Sequence, residues 1–193
     1  MISVTHRIES AGTNEDRLVV ERRGGRILAI VCDGAGNGGH GGLAADLAIT
    51  ELRRMWHAGF VDWVRALLSV DQLLVREAQG GESTCVAAEI YEDGQIRGAS
   101  VGDSGAWLLL RKSPLRDLTA GQDAARLGSG RAHPKMFKTQ LMGRLLIASD
   151  GLLRYSKTAD IYALSCRGLE ALIDGVRLKN GTLQDDVSAL LVE

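Results

Sequence analysis

Residues 26–46, RILAIVCDGAGNGGHGGLAAD, constrain the chain more than any other stretch. An apolar run, 27–32, drives without a break into Asp33, and six of the next nine residues are glycine. The run reads as a buried strand and the residues from about Gly42 as the start of a helix. Glycine carries a large backbone entropy cost, so such a cluster belongs where the backbone turns sharply or approaches something closely. Two occupants suit the loop: a phosphate cradled by backbone amides, or a metal ion held by Asp33.

The elements around this stretch follow from periodicity and turn residues. Short strands are expected over 2–8, 18–21 and 26–32, and their close spacing favours antiparallel hairpins over crossover units. Two helices come next. Leu43, Leu47, Ala48, Leu52 and Met55 share one face of the first, which ends near Gly59; Val61, Val64, Leu67, Leu68, Leu74 and Val75 share one face of the second, which ends at Gly80-Gly81. Two helices in succession break any strictly alternating α/β scheme. A meander is expected over 83–91, 95–101 and 106–110, turning at Asp93-Gly94 and at residues 102–105, with a short edge at 114–119. Residues 121–138 read as an irregular loop. A buried strand at 144–148, helices near 159–164 and 169–176, and a last strand at 187–192 complete the chain.

Bulk properties narrow the function. The 23 Lys and Arg nearly balance the 24 Asp and Glu, and no basic stripe appears, which argues against a nucleic-acid partner. Three cysteines without a CxxC pair suit a reduced compartment rather than a disulfide set or a zinc site. No run approaches the roughly 18 apolar residues of a membrane helix, and residues 1–10 lack the apolar core of a signal peptide. A cytoplasmic protein without a membrane partner is the expectation.

Five aspartates share a context. Asp16, Asp33, Asp103, Asp150 and Asp185 each sit beside glycine or at the edge of an apolar strand. A single one is adequately explained as a turn residue. Five converging carboxylates would repel strongly unless cations lay between them. Hard oxygen ligands with no His or Cys nearby suit Mg²⁺ or Mn²⁺, and two such ions about 4 Å apart can clamp a phosphoryl group and activate a bridging water.

Taken in order, the segments Asn14-Glu15-Asp16, VCDGAGNGGHGG (31–42), GESTC (81–85), VGDS (101–104), ASDGL (148–152) and DDVS (185–188) resemble those of the metal-dependent serine/threonine protein phosphatases of the 2C type, in their compact bacterial form. The resemblance spans nearly the whole chain. It implies an α+β fold, a four-layer α-β-β-α sandwich with two central antiparallel sheets flanked by helices, and a single domain over 1–193. It also implies two Mg²⁺ or Mn²⁺ ions at one end of the sandwich and a third, weaker site. Asp33 would bridge both ions and hold the attacking water, with the Gly34 carbonyl as a further ligand. Asp150 and Asp185 would complete one site, Asp16 would sit close by, and Asp103 would serve the third. The implied reaction is hydrolysis of phosphoserine and phosphothreonine by a metal-bridging hydroxide. The implied partners are a phosphorylated protein substrate and a cognate Ser/Thr kinase, with the phosphatase itself a monomer.

The chain departs from that pattern in places. Ala11 stands where the family usually has an arginine that grips substrate phosphate. Arg7, on the same face of an extended strand but roughly 13 Å away at about 3.3 Å per residue, is the candidate replacement, ahead of Arg17. Ala35 stands where some members place a histidine acid. These losses raise an alternative, a pseudophosphatase that binds phosphoprotein without turnover. Gly34, Gly36 and Gly39 also satisfy G-x-G-x-x-G, but a second helix follows instead of a parallel strand, and Asp33 would repel pyrophosphate.

Overall fold

The structure is a computed structural model, and it describes residues 2–59, 61–111 and 115–193. Its strands are β1 (Val4–Glu9), β2 (Arg17–Arg23), β3 (Arg26–Cys32), β4 (Gly34–Ala35), β5 (Glu82–Ser83), β6 (Cys85–Tyr91), β7 (Gln95–Val101), β8 (Gly105–Leu109), β9 (Arg116–Asp117), β10 (Lys135–Gln140), β11 (Arg144–Ala148) and β12 (Val187–Val192). Helices α1 (His40–His57) and α2 (Trp63–Glu77) lie between β4 and β5; α3 (Asp150–Leu153), α4 (Thr158–Ser165) and α5 (Leu169–Asp174) lie between β11 and β12.

Two five-stranded sheets form, in the orders β1-β12-β11-β8-β9 and β10-β7-β6-β3-β2, and every pairing is antiparallel. The apolar run of β3 explains how they stack. Ile27, Ala29 and Val31 pack between the sheets against Leu145, Ile147, Leu190 and Val192. Leu28, Ile30 and Cys32 point the other way, under Leu52, Trp56 and Leu67 of α1 and α2. A strand covered on both faces has no solvent side, so it loses the alternation expected of an antiparallel strand. Residues Leu146, Ala148, Ala189 and Leu191 on the far face of the other sheet meet Leu152, Ile161, Leu172 and Ile173 of α3–α5. The layers are therefore helices, sheet, sheet, helices, as the resemblance implied.

Sequence periodicity fails at a few places, for identifiable reasons. The loop expected at 121–138 gives way to β10 from Lys135. Only Phe137 of that strand is buried, and Met136 is 72% exposed, so an edge strand held by pairing with β7 shows little apolar pattern. The edge expected at 114–119 is reduced to Arg116–Asp117, and Pro114 lies outside the described residues. α3 is one turn, too short for periodicity to register. α2 starts at Trp63 rather than Val61 because Asp62 caps it, accepting from the Arg65 backbone N–H at 3.1 Å.

One buried carboxylate inside the fold is structural. Glu89, 4% exposed, accepts from Trp56 Nε1 at 2.9 Å, Arg26 at 2.9 Å and the Tyr91 hydroxyl at 2.6 Å, which satisfies it.

Candidate metal centre

Strand register brings the five aspartates to one end of the sandwich. Arg17 pairs with Cys32, Val31 with Val86, and Cys85 with Val101. Asp16, Asp33 and Asp103 therefore leave the same edge of one sheet. Gly105 pairs with Ala148, Ala148 with Ala189, and Val187 with Glu9. The Gly102–Ser104 turn, Asp150 and Asp185 thus meet at the matching edge of the other.

Close backbone packing draws these segments together. A Cβ on Gly34 would stand 2.3 Å from the Gly41 carbonyl oxygen and 2.8 Å from that of Glu15. The glycine loop is thus folded back on itself and on the 14–16 segment, a packing demand that answers why glycine is needed there. A Cβ on Gly151 would stand 1.9 Å from the Asp186 carbonyl oxygen, so Asp150 and Asp185 approach only because residue 151 has no side chain.

Hydrogen bonds hold the backbone around Asp33 and the N-terminal loop. The Asp33 carbonyl accepts from the Thr84 N–H at 2.8 Å and the Ser83 hydroxyl at 3.1 Å. Its own N–H donates to Thr84 Oγ1, which lies 2.6 Å from Ser104 Oγ beside Asp103. Asp186 holds the N-terminal loop, accepting from the Ala11 N–H at 2.7 Å, Ser10 Oγ at 3.0 Å and the Glu15 N–H at 3.2 Å. Asp16 is 2% exposed, with the Ser149 and Ser188 hydroxyls beside it, yet its Oδ2 has no partner at hydrogen-bonding distance among the described residues. Ser149 and Ser188 are themselves tied across the strands, the Ser188 N–H donating to Ser149 Oγ and the Ser149 N–H to the Ser188 carbonyl, each at 2.9 Å. Thr84, Ser104, Ser149, Ser188 and Asp186 all lie within or beside the motif segments, but their spacing does not say which of them would hold an aspartate.

The carboxylates act on one another as well as being buried. Burial, then Asp16, Asp150, Asp103 and Asp185 in turn, push the Asp33 carboxyl up to about 8. Burial chiefly raises Asp16 to about 6; the two serines pull it down and Asp186 pushes it up. Asp150 is raised by burial and by Asp103 and Asp185, and lowered by Arg154. Asp33 lies close enough to Asp16 and Asp150 to share a proton with either. Among the described residues, no three carboxylates close into a finished ligand set. Carboxylates that repel one another stand apart unless cations lie between them. An all-oxygen donor set, with a buried and unpartnered Asp16 oxygen, fits a hard divalent cation.

The arginines are arranged otherwise than the sequence suggests. Arg7 pairs with Glu9 at 2.9 Å and with Glu170 of α5 at 2.5 Å, on the outer face of its sheet. An extended strand alternates its faces, and Arg7, expected to grip phosphate, falls on the face covered by α5. Arg17 clamps Asp46 of α1 at 2.7 and 3.0 Å and donates to the carbonyls of Asn14 and Asp16. It positions the loop and is not free to bind substrate. A groove of about 530 Å³ opens beside the aspartates, lined by Asp103, Trp107, Gln122, Asp150 and Arg154 among others. A slightly larger cleft, about 580 Å³, lies at the opposite end of β3, but Arg22, Arg23 and Arg26 there are committed to Ile2, His57 and Glu89.

The raised carboxyls make a pH prediction for chelator-treated protein. Between the ordinary value of 3.8 and about 8, folded Asp33 holds a proton that the unfolded chain has lost. Stability therefore falls as pH rises through that window, and Asp16 adds to the fall up to about 6. Melting in EDTA is expected to drop between pH 5 and pH 8.5, and an Asp33→Asn variant should show a shallower slope. Equal slopes would mean that Asp33 is not charged against its neighbours.

No protein-family model matches the sequence, and no curated protein matches it either. Solved structures do. A bacterial serine phosphatase superposes with a TM-score of 0.81 at 20% identity, covering all of this chain and 97% of that one. A serine/threonine phosphatase from Staphylococcus aureus gives 0.81 at 20% identity, over 100% and 94% of the two chains. The catalytic domain of a serine/threonine protein phosphatase in complex with two manganese ions gives 0.76 at 18% identity, over 100% and 97%. The fold of this chain is the fold of these bacterial serine/threonine phosphatases.

Proposed function

We propose that residues 1–193 act as one catalytic unit, a Mg²⁺- or Mn²⁺-dependent phosphatase of phosphoserine and phosphothreonine in proteins. One observation carries the reading: carboxylates from five separate strand ends converge, and the central one, Asp33, is lifted to about 8 by burial and by the other four. A cluster so unfavourable when ionised is retained where divalent cations neutralise it. When bound, two such ions would supply charge neutralisation and acidify water for attack on phosphorus.

Asp33, flanked by Asp16 and Asp150, would hold both cations from the centre, with the Gly34 carbonyl beside it. Asp150 and Asp185 would complete one site, and Asp16 would act from beneath, oriented by Ser149 and Ser188. Exposed Asp103 would offer a third, weaker position. Ala35 places no acid near the leaving group, so its proton would come from solvent. The shared fold and the manganese bound in one of the similar structures support this reading.

Hydrolysis of p-nitrophenyl phosphate and of a phosphothreonine peptide, with Mn²⁺ and with EDTA, is the test. Turnover is expected only with metal, and chelation should remove at least roughly 99% of it. Activity that persists in EDTA would sink the mechanism. A protein that binds Mn²⁺ and phosphopeptide but turns over neither substrate would instead be a phosphoprotein-binding regulator.

A further inference from the structure

We propose that Arg154 is the residue that grips substrate phosphate, in the role left open by Ala11; the inference rests on the phosphatase reading. Arg154 caps the C-terminal end of α3, one turn beyond Asp150, and its N–H donates to the Asp150 carbonyl at 2.8 Å. Its guanidinium lies 3.9 Å from Asp150 Oδ2, and its side chain is 70% exposed along the groove that also presents Asp103 and Asp150. Among the described residues it makes no tighter ion pair.

The other nearby cations are engaged: Arg7 with Glu9 and Glu170, Arg17 with Asp46, and Lys135 with the Ala120 carbonyl at the groove wall. Arg154 instead stands one turn beyond Asp150 with its guanidinium facing the groove beside Asp103 and Asp150. Charge balance gives it a task. Five carboxylates outweigh two divalent cations, so an incoming phosphate dianion meets residual negative charge unless a further cation faces it. A guanidinium offers phosphate a planar fork of donors, and one held only loosely by Asp150 can turn to it without breaking a buried pair.

The test pairs Arg154→Ala and Arg154→Lys with two readouts. One is steady-state hydrolysis of p-nitrophenyl phosphate with Mn²⁺; the other is calorimetric binding of inorganic phosphate to the Mn²⁺-loaded protein. Arg154→Ala is expected to raise KM and the phosphate Kd by roughly 10- to 100-fold with a smaller effect on kcat, and Arg154→Lys to recover part of the loss. Melting temperature should match the wild type, because the side chain is exposed. Unchanged KM and phosphate Kd in Arg154→Ala overturn the proposal. So does a phosphate Kd that is lost in Asp103→Ala but kept in Arg154→Ala, which would assign the extra positive charge to a third metal ion. If the wild type hydrolyses nothing yet Arg154→Ala weakens phosphate binding, the phosphatase reading fails while the assignment of Arg154 stands. An active wild type with an unaffected variant gives the reverse.

Discussion

Asp33→Asn is expected to abolish Mn²⁺-dependent hydrolysis, by at least roughly 1,000-fold in kcat, while making the metal-free protein more stable. Both effects have one cause. Asp33 sits at the centre of the cluster, where burial and four carboxylates raise it to about 8. At pH 8 its ionisation in the folded chain costs on the order of a few kcal/mol, which a neutral amide of the same shape removes. The amide also lacks the charge that would hold two cations together. Activity assays, Mn²⁺ titration by calorimetry and melting in EDTA read the three consequences. A variant that is destabilised without metal would show that Asp33 is an ordinary structural carboxylate rather than one kept at a cost for cations.

Gly151→Ala is expected to be strongly destabilising. Its Cβ would fall 1.9 Å from the Asp186 carbonyl oxygen, and backbone on both sides resists movement. The clash should cost about 3 kcal/mol of stability and push the Asp150 turn away from Asp185. Asp186 also anchors the Ala11–Glu15 loop, so the displacement would reach Asp16. Chemical denaturation and Mn²⁺ affinity should both fall. Gly12→Ala, with no heavy atom within 4 Å of the added Cβ, is the control and should change neither by more than about 0.5 kcal/mol. A Gly151→Ala variant as stable and as metal-avid as the control would show that the two turns do not depend on this contact.

The two variants separate what glycine and aspartate do at this site. Read as sequence, the loop after Asp33 suggests glycines kept clear for a ligand. In the structure Gly34 is pressed against the Gly41 and Glu15 backbones, so much of the glycine demand is mechanical. In the proposed reaction the ligand chemistry would rest with the carboxylate at the head of the loop.

Local sequence determined those elements whose patterning is self-contained. The bounds of β3, β11 and β12 follow from apolar runs that end on Asp33, Ser149-Asp150 and Asp186, and α1 ends where its apolar face stops. The strand-end placement of most of these aspartates was legible for the same reason: Asp33 and Asp150 follow buried strands, Asp103 lies between β7 and β8, and Asp185 comes just before β12, whereas Asp16 precedes the half-buried β2. The edge strand β10 was not legible, because its outer face is solvent and its partner lies about 40 residues upstream in the chain.

Tertiary structure alone decided how the charges are arranged. Whether an arginine faces the cluster depends on which layer covers its strand or helix face. That is set by α5 over Arg7, by α1 beside Arg17 and by the single turn of α3 under Arg154. The same holds for Ser149, Ser188 and Asp186, which acquire their roles only when β11, β12 and the 10–16 loop meet. Sequence spacing measures distance along one strand, whereas phosphate and cations respond to charges that converge from several. The chain by itself places the aspartates at strand ends, and the packing of its four layers decides which cations lie near them.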